Sequence, residues 1–266
     1  MPTPLYQPDS RRCAYQLRYS WTAWPSSGRF PAAVPQALEQ CRPLWESDGL
    51  RLLEPDVQSD VLQVLFSATP MVSARFLATR AKGRLDHALR QMGSPVVFSR
   101  KVSVRTVGDA NRQTIDSYLA AQADRGEFVE PAFTSELNRV AFHDPEVDLS
   151  QPQERAHSRY WNSLHLVLVT ESRESLRHLE VLAHLVEVSR RVARAKGYSL
   201  SRAAPMLDHL HLALSIPPDV SPLEVVFAYQ NNLAYLLNLG RIWKETFYVG
   251  TFGEYGMGAI RTLRDR

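Results

Sequence analysis

Two stretches, SDVLQVLFS at residues 59–67 and LDHLHLALS at 207–215, decide how this chain is read. Each is a short run of alternating apolar residues, opened by an aspartate and closed by a serine, with the length of one strand. Superposed, they keep a constant offset of 148, with His209 over Val61. The surrounding elements follow the same order. A stretch with apolar residues at helical spacing comes next in both: Leu77, Ala81, Leu85, Ala88, Leu89 and Met92 before Gly93, and residues 222–239 before Gly240. FSRKVSVRTVGD at 98–109 then lies over WKETFYVGTFGE at 243–254 with an offset of 145. That match sets Val104 on Val249, Thr106 on Thr251 and Gly108 on Gly253. Order, spacing and polarity agreeing together point to a repeated unit.

The remaining segments fit around this frame. AYQLRYSW at 14–21 alternates as a strand, WPSSGRFPAAVP at 24–35 is a loop, and residues 35–47 form a short helix. Asp109 is placed to cap a helix running through Arg125. Residues 126–158, with Pro131, Pro145 and Pro152, have weak periodicity and read as a connector with a short helical piece at most. Beyond it LHLVLVT at 164–170 is a strand, and 176–196 an amphipathic helix with Leu179, Leu182, Leu185 and Val186 inward and basic residues near its end. The expectation is an α+β chain of two halves, 1–125 and 159–266, joined by the connector 126–158.

Bulk properties bound the function. With 266 residues, 44% of them hydrophobic and 22% charged, the chain has ordinary globular composition. No apolar run reaches the roughly 18 to 20 residues of a membrane span, and the start MPTPLYQPDSRR has no signal-peptide core, so a cytoplasmic protein is expected. Cys13 and Cys41 make neither a disulfide framework nor a metal knuckle. The net charge is only +3, but residues 75–105 carry eight basic side chains against the single acid Asp86. Such a stripe suits a phosphate backbone, and equally a solvated helix face.

Three features bear on chemistry. His209 and His211 are two apart on a predicted strand, so both imidazoles project from one face about 7 Å apart at the backbone, within reach of one divalent ion. Read alone, His-x-His fits packed or surface-facing imidazoles as well. Tyr118 and Gln122, four apart on the predicted helix after Asp109, share one helix face. A phenol ordinarily titrates near 10 and needs a neighbouring cation or base to act as a nucleophile. The same helix also fits simple packing of Ile115, Tyr118 and Leu119. His165 opens the 164–170 strand and approaches a metal only if that strand neighbours His209 and His211.

Asp208-His209-Leu210-His211-Leu212 resembles the Asp-His-hydrophobic-His core of HUH endonucleases. The run from Phe98 through VSVRTVGD to Tyr118-Leu-Ala-Ala-Gln122 resembles the end of single-tyrosine insertion-sequence transposases of the 200/605 type. The departures are informative. The first half holds Val61 and Gln63 at the histidine positions. In the second half the tyrosine position is Leu263, and the glutamine position falls past the last residue.

The resemblance implies two ferredoxin-like halves, antiparallel sheets with helices, in a pseudo-twofold arrangement like a fused dimer. It further implies one composite site, in which His209, His211 and Gln122 hold magnesium or manganese and Tyr118 attacks DNA, single-stranded or hairpin, to form a phosphotyrosine link. Arg100, Lys101 and Arg105, the basic residues nearest the tyrosine helix in sequence, are expected to contact the DNA backbone. The rival reading is a non-cleaving DNA-binding protein derived from such an enzyme. A third is an HUH enzyme acting on another nucleic acid.

Overall fold

The computed structural model describes residues 4–7, 13–123, 131–171, 176 and 178–253. The first half contributes β1 (Cys13–Gln16), β2 (Arg18–Pro25), α1 (Val34–Ser47), β3 (Leu50–Val57), β4 (Leu62–Ala68), α2 (Ala74–Gln91), β5 (Phe98–Val107) and α3 (Arg112–Ala120). After α4 (Pro131–Val140), β6 (Phe142–His143) and β7 (Gln153–Arg155) come β8 (Ser158–Trp161), β9 (Ser163–Thr170), α5 (Leu179–Lys196), β10 (Ser199–Pro205), β11 (His209–Ser215), α6 (Pro222–Leu236) and β12 (Trp243–Phe252). Leu263 lies outside the described residues.

The strands form two sheets, in the orders β3-β4-β2-β5-β8-β7 and β1-β12-β9-β11-β10-β6. Within them, β2, β3, β4 and β5 repeat the arrangement of β9, β10, β11 and β12 down to the register. Tyr19 pairs with Phe66 on one side and Thr106 on the other. Leu164, 145 residues later, pairs with Leu214 and Thr251.

Neither sheet is purely antiparallel, which corrects the expectation. β1 runs parallel to β12, Cys13 opposite Phe247, and β8 runs parallel to β5, Ser158 opposite Val102. The stretch read as one strand breaks at Leu17, so β1 joins the second half's sheet while β2 stays in its own. Each half thus lends its leading strand to the other.

The seam between the sheets is reciprocal. The Arg18 N–H donates to Thr251 Oγ1 at 2.9 Å and the Ser163 N–H to Thr106 Oγ1 at 3.2 Å. Thr251 Oγ1 donates to the Val107 carbonyl at 2.6 Å, and Thr106 Oγ1 to the Phe252 carbonyl at 2.7 Å. Residue i meeting j while the counterpart of j meets that of i is the signature of a self-complementary interface.

Helix signals in the sequence have local causes. Ser73 caps α2 by accepting from the Phe76 N–H, and Ser221 with Glu224 forms a capping box on α6. Gly197 ends α5 at φ 69°, a left-handed turn that costs an L side chain strain. The strands of β4 bury Leu62, Val64 and Phe66 completely, and Trp45 meets the Phe66 ring edge-on with centroids 5.1 Å apart. A buried phenyl contributes about 1.5 to 3 kcal/mol.

Candidate active site

β11 places His209 and His211 on one face, as its alternation requires. Across β9 they lie opposite Val169 and Val167, and on β12 Tyr248 lies opposite Val167 as well. His165, two residues before Val167, therefore shares their face. Its Nε2 is 3.0 Å from His211 Nδ1, and the two rings lie nearly parallel. His209 Nδ1 is held by Asp208 Oδ1 at 2.5 Å. Tyr248 fits beside His165 because the strand carries Gly250 there: a Cβ at that position would sit 2.2 Å from the Tyr248 hydroxyl oxygen.

Burial sets the charge of this cluster. It pulls His165 down to about 4. His211 falls to about 2, first through burial and then through its histidine neighbours. At neutral pH both rings are uncharged, so a single hydrogen joins them. If it lies on His211 Nδ1, the lone pair of His211 Nε2 is free, and that atom is buried without a protein partner. With Nδ1 directed at Asp208, His209 presents its Nε2 to the cavity. Two imidazole lone pairs beside a carboxylate are a donor set suited to a divalent ion. Among the described residues no three His, Cys, Asp or Glu side chains are arranged to hold an ion by themselves, since His165 is turned onto His211.

The phenol comes from the other half. β5 leads through Gly108, where a Cβ would lie 2.4 Å from the Thr251 carbonyl oxygen, so only a glycine passes beneath β12. Asp109 does not cap the helix: it accepts from Gln16 and Arg18. Asn111 caps α3 instead, accepting from the Thr114 N–H at 2.8 Å, and the Arg112 N–H donates to the Gly253 carbonyl at 2.8 Å. Ile115, Tyr118 and Leu119 pack with Leu149, Ala213 and Phe252 in a small core that seats the helix on the second half. The Tyr118 ring stands edge-on to His211 and His165, at centroid distances of 5.7 and 6.0 Å. A cavity of about 660 Å³ opens between Tyr118, Asp208, His209, His211, His165 and Tyr248.

The structure does not bring every expected residue here. α3 ends at Ala120, so Gln122 lies beyond the helix and no longer shares a face with Tyr118. Its Nε2 donates to the Tyr118 carbonyl at 3.1 Å, and its side chain lines a separate cavity with Met206 and Arg202. Arg105 lies over the Trp161 ring at 4.1 Å. Arg100 and Lys101 occupy the opposite end of β5 from Gly108, about 23 Å along the strand from its exit. Tyr248 was not singled out in the sequence; its signal is a tyrosine two residues before a glycine on a strand, which is too common to select.

Comparison with known proteins finds a likeness in the second half. Residues 158–262 match the family model described as transposase IS200 like, so this second half is similar to the IS200-like transposases. Among solved structures it is similar to a proposed transposase of Deinococcus radiodurans R1, at 23% identity over 39% of this chain and 88% of that one, with a TM-score of 0.32. It is also similar to a REP-associated tyrosine transposase bound to a REP hairpin, at 13% identity over 39% of this chain and 62% of that one, with a TM-score of 0.32. No curated protein matches the chain. Among the described residues no helix is long and apolar enough to cross a membrane.

Proposed function

We propose that this protein cuts and rejoins one DNA strand through a covalent phosphotyrosine at Tyr118, in the service of transposition or related mobile-element processing. The observation that carries the reading is the packing of first-half Tyr118 against second-half His211 and His165, in a cavity that His209 also lines. Tyr118 Oη forms a bond to phosphorus as the phosphorus–oxygen bond to the adjoining nucleotide breaks. The departing oxygen keeps the electron pair and takes up a proton, while the phenol gives one to water. His209 and His211 would hold magnesium or manganese, which when bound supplies Lewis-acid polarisation of the phosphate. Asp208 and His165 fix the ring orientations by taking the Nδ1 hydrogens. Gln122 joins these ligands only if the turn after α3 rewinds.

In this reading the two halves, 1–125 and 159–266, are ferredoxin-like copies of one unit fused in tandem, with 126–158 between them. The shared registers and the reciprocal seam support it. So does the fate of the mirror position. Gln63 Nε2 donates to Ser20 Oγ at 2.7 Å, and by the offsets of 148 and 145 these two residues stand where His211 meets His165. One hydrogen-bonded pair has been replaced by another that binds no metal, leaving one working site.

The test is incubation with labelled single-stranded and hairpin DNA and manganese or magnesium, followed by a denaturing gel. A covalent adduct that disappears in Tyr118→Phe and His209→Ala is expected. The displaced Gln122 favours the rival reading of a non-cleaving DNA-binding protein, and DNA binding with no adduct on any such substrate would establish it.

A further inference from the structure

The second half grips part of its own N-terminal segment. Tyr6 is buried between α6 and the start of β12. Its N–H donates to Asn231 Oδ1 at 2.9 Å, Asn231 Nδ2 donates to its carbonyl at 3.1 Å, and its hydroxyl accepts from the Trp243 N–H at 2.8 Å. The corresponding gap in the first half lies between α2 and the start of β5. The two gaps are built alike: Lys82 Nζ donates to the Ser99 carbonyl at 2.9 Å, where Gln230 Nε2 donates to that of Lys244 at 3.3 Å. The first gap is an open groove of about 510 Å³, while Tyr6 enters the second and leaves about 440 Å³ beside Trp243 and Glu245.

The replacements around it are directional. Gly83 stands where Asn231 holds Tyr6, Phe98 where Trp243 is, Arg100 where Glu245 is and Arg90 where Asn238 is, by the same two offsets. The Asn231 clamp is gone. In its place an aromatic floor of Phe98, with Lys82 over its ring at 5.8 Å, is rimmed by Arg75, Arg90 and Arg100. Asp86 is the one acid on the lining, against four basic side chains; it pairs with Arg90 at 3.0 Å, and Asp219 beside the groove pairs with Arg75 at 2.8 Å. Gly83 is a glycine inside a helix, with nothing within 4 Å of where its Cβ would be. An interior glycine costs a helix about 1 kcal/mol relative to alanine, and what it leaves is room in the groove.

We propose that this groove is an anchoring site for single-stranded DNA, an unpaired base lying against Phe98 in the way Tyr6 fills the other gap, with flanking phosphates on Arg75, Arg90 and Arg100. The inference rests on the reading that this chain handles DNA, and places a hold on the strand well away from Tyr118. Charge decides the occupant. The N-terminal arm of a second copy would bring Arg11 and Arg12 to a rim that is already basic.

The experiment is fluorescence anisotropy of a labelled oligothymidine without metal, across a salt series, on the full chain. Gly83→Leu fills the groove with a good helix former in open space, so its melting temperature should equal or exceed that of the wild type while its affinity falls at least tenfold. Arg100→Glu, the residue of the other half, should weaken binding at least tenfold and reduce the salt slope by about one or more. Wild-type affinity in both variants, or no binding by the wild-type chain, overturns the proposal. Adduct formation at Tyr118 is scored separately. Its absence from the wild type, with both variants still losing DNA, would defeat the transposase reading and leave the groove standing. Adducts with unimpaired variants would do the reverse.

Discussion

Replacing His165 by leucine removes the partner of His211 Nδ1 without touching either of the imidazoles proposed to hold the ion. The two nitrogens are 3.0 Å apart and both rings are buried. With His165 gone, the His211 tautomer that offers Nε2 must keep an unpaired Nδ1–H in the interior, at a cost of about 1 to 3 kcal/mol. The other tautomer puts a hydrogen on the nitrogen needed as a ligand. Since about 1.4 kcal/mol is a factor of ten, manganese affinity should drop by about ten- to a hundredfold, the range that outer partners of metal-bound histidines command elsewhere. Calorimetric titration of manganese into purified protein reads this directly, with circular dichroism to show that the fold is kept. His165→Gln, which returns an acceptor, should recover part of the loss. An affinity for His165→Leu within twofold of the wild type would refute the reasoning, because His211 would then orient itself.

Three further outcomes follow from the geometry. Gln122→Ala should alter manganese affinity by less than fivefold, while His209→Ala abolishes measurable binding in the same titration; a large Gln122 effect would mean that the turn after α3 rewinds when the ion binds. His165 titrates near 4 when folded and near 6.5 when exposed, so between those values the unfolded chain holds the extra proton. Stability should therefore be intact above pH 6.5 and fall as the pH drops toward 4, by about 1.4 kcal/mol per unit and about 3 kcal/mol in all, with His211 adding to the same trend. Urea denaturation at pH 7.5, 5.5 and 4.5 checks this, and the His165→Leu variant should show a shallower dependence. Gly108→Ala forces a methyl against the Thr251 carbonyl, and should cost about 1 to 3 kcal/mol in urea midpoint shifts; no change would mean that the seam yields freely.

The strands and helices with strong periodicity were legible: the apolar runs of β4, β9 and β11, the helices α2, α5 and α6, and the paired order that links them. So was the meeting of Tyr118 with His211, which came through a resemblance rather than through spacing. β3 and β10 escaped notice for physical reasons. LRLLEPDV carries a proline and two acids, and SLSRAAP is rich in small residues with little strand preference, so pairing to β4 and β11 makes them strands, not propensity. The connector's β6 and β7 are two and three residues long and exist only as additions to existing sheets. Tyr15 and Tyr19 belong to different sheets because the chain changes partner at Leu17, which is invisible to alternation. Gln122 falls outside the helix because the i to i+4 rule assumes that the helix continues, and α3 stops at Ala120. His165 needed only knowledge of which strand lies beside β11.

The exchange of leading strands has a consequence for how such a chain can change over time. In an assembly of two identical subunits every substitution is inherited at both symmetry-related places. Here the exchanged β1 and β8 tie two distinct stretches of one gene into the same interlocked body, so each surface drifts separately while the body stays closed. On the proposed reading as a fused pair, the first half carries Val61 and Gln63 where the second has His209 and His211, and a basic groove where the second holds its own Tyr6.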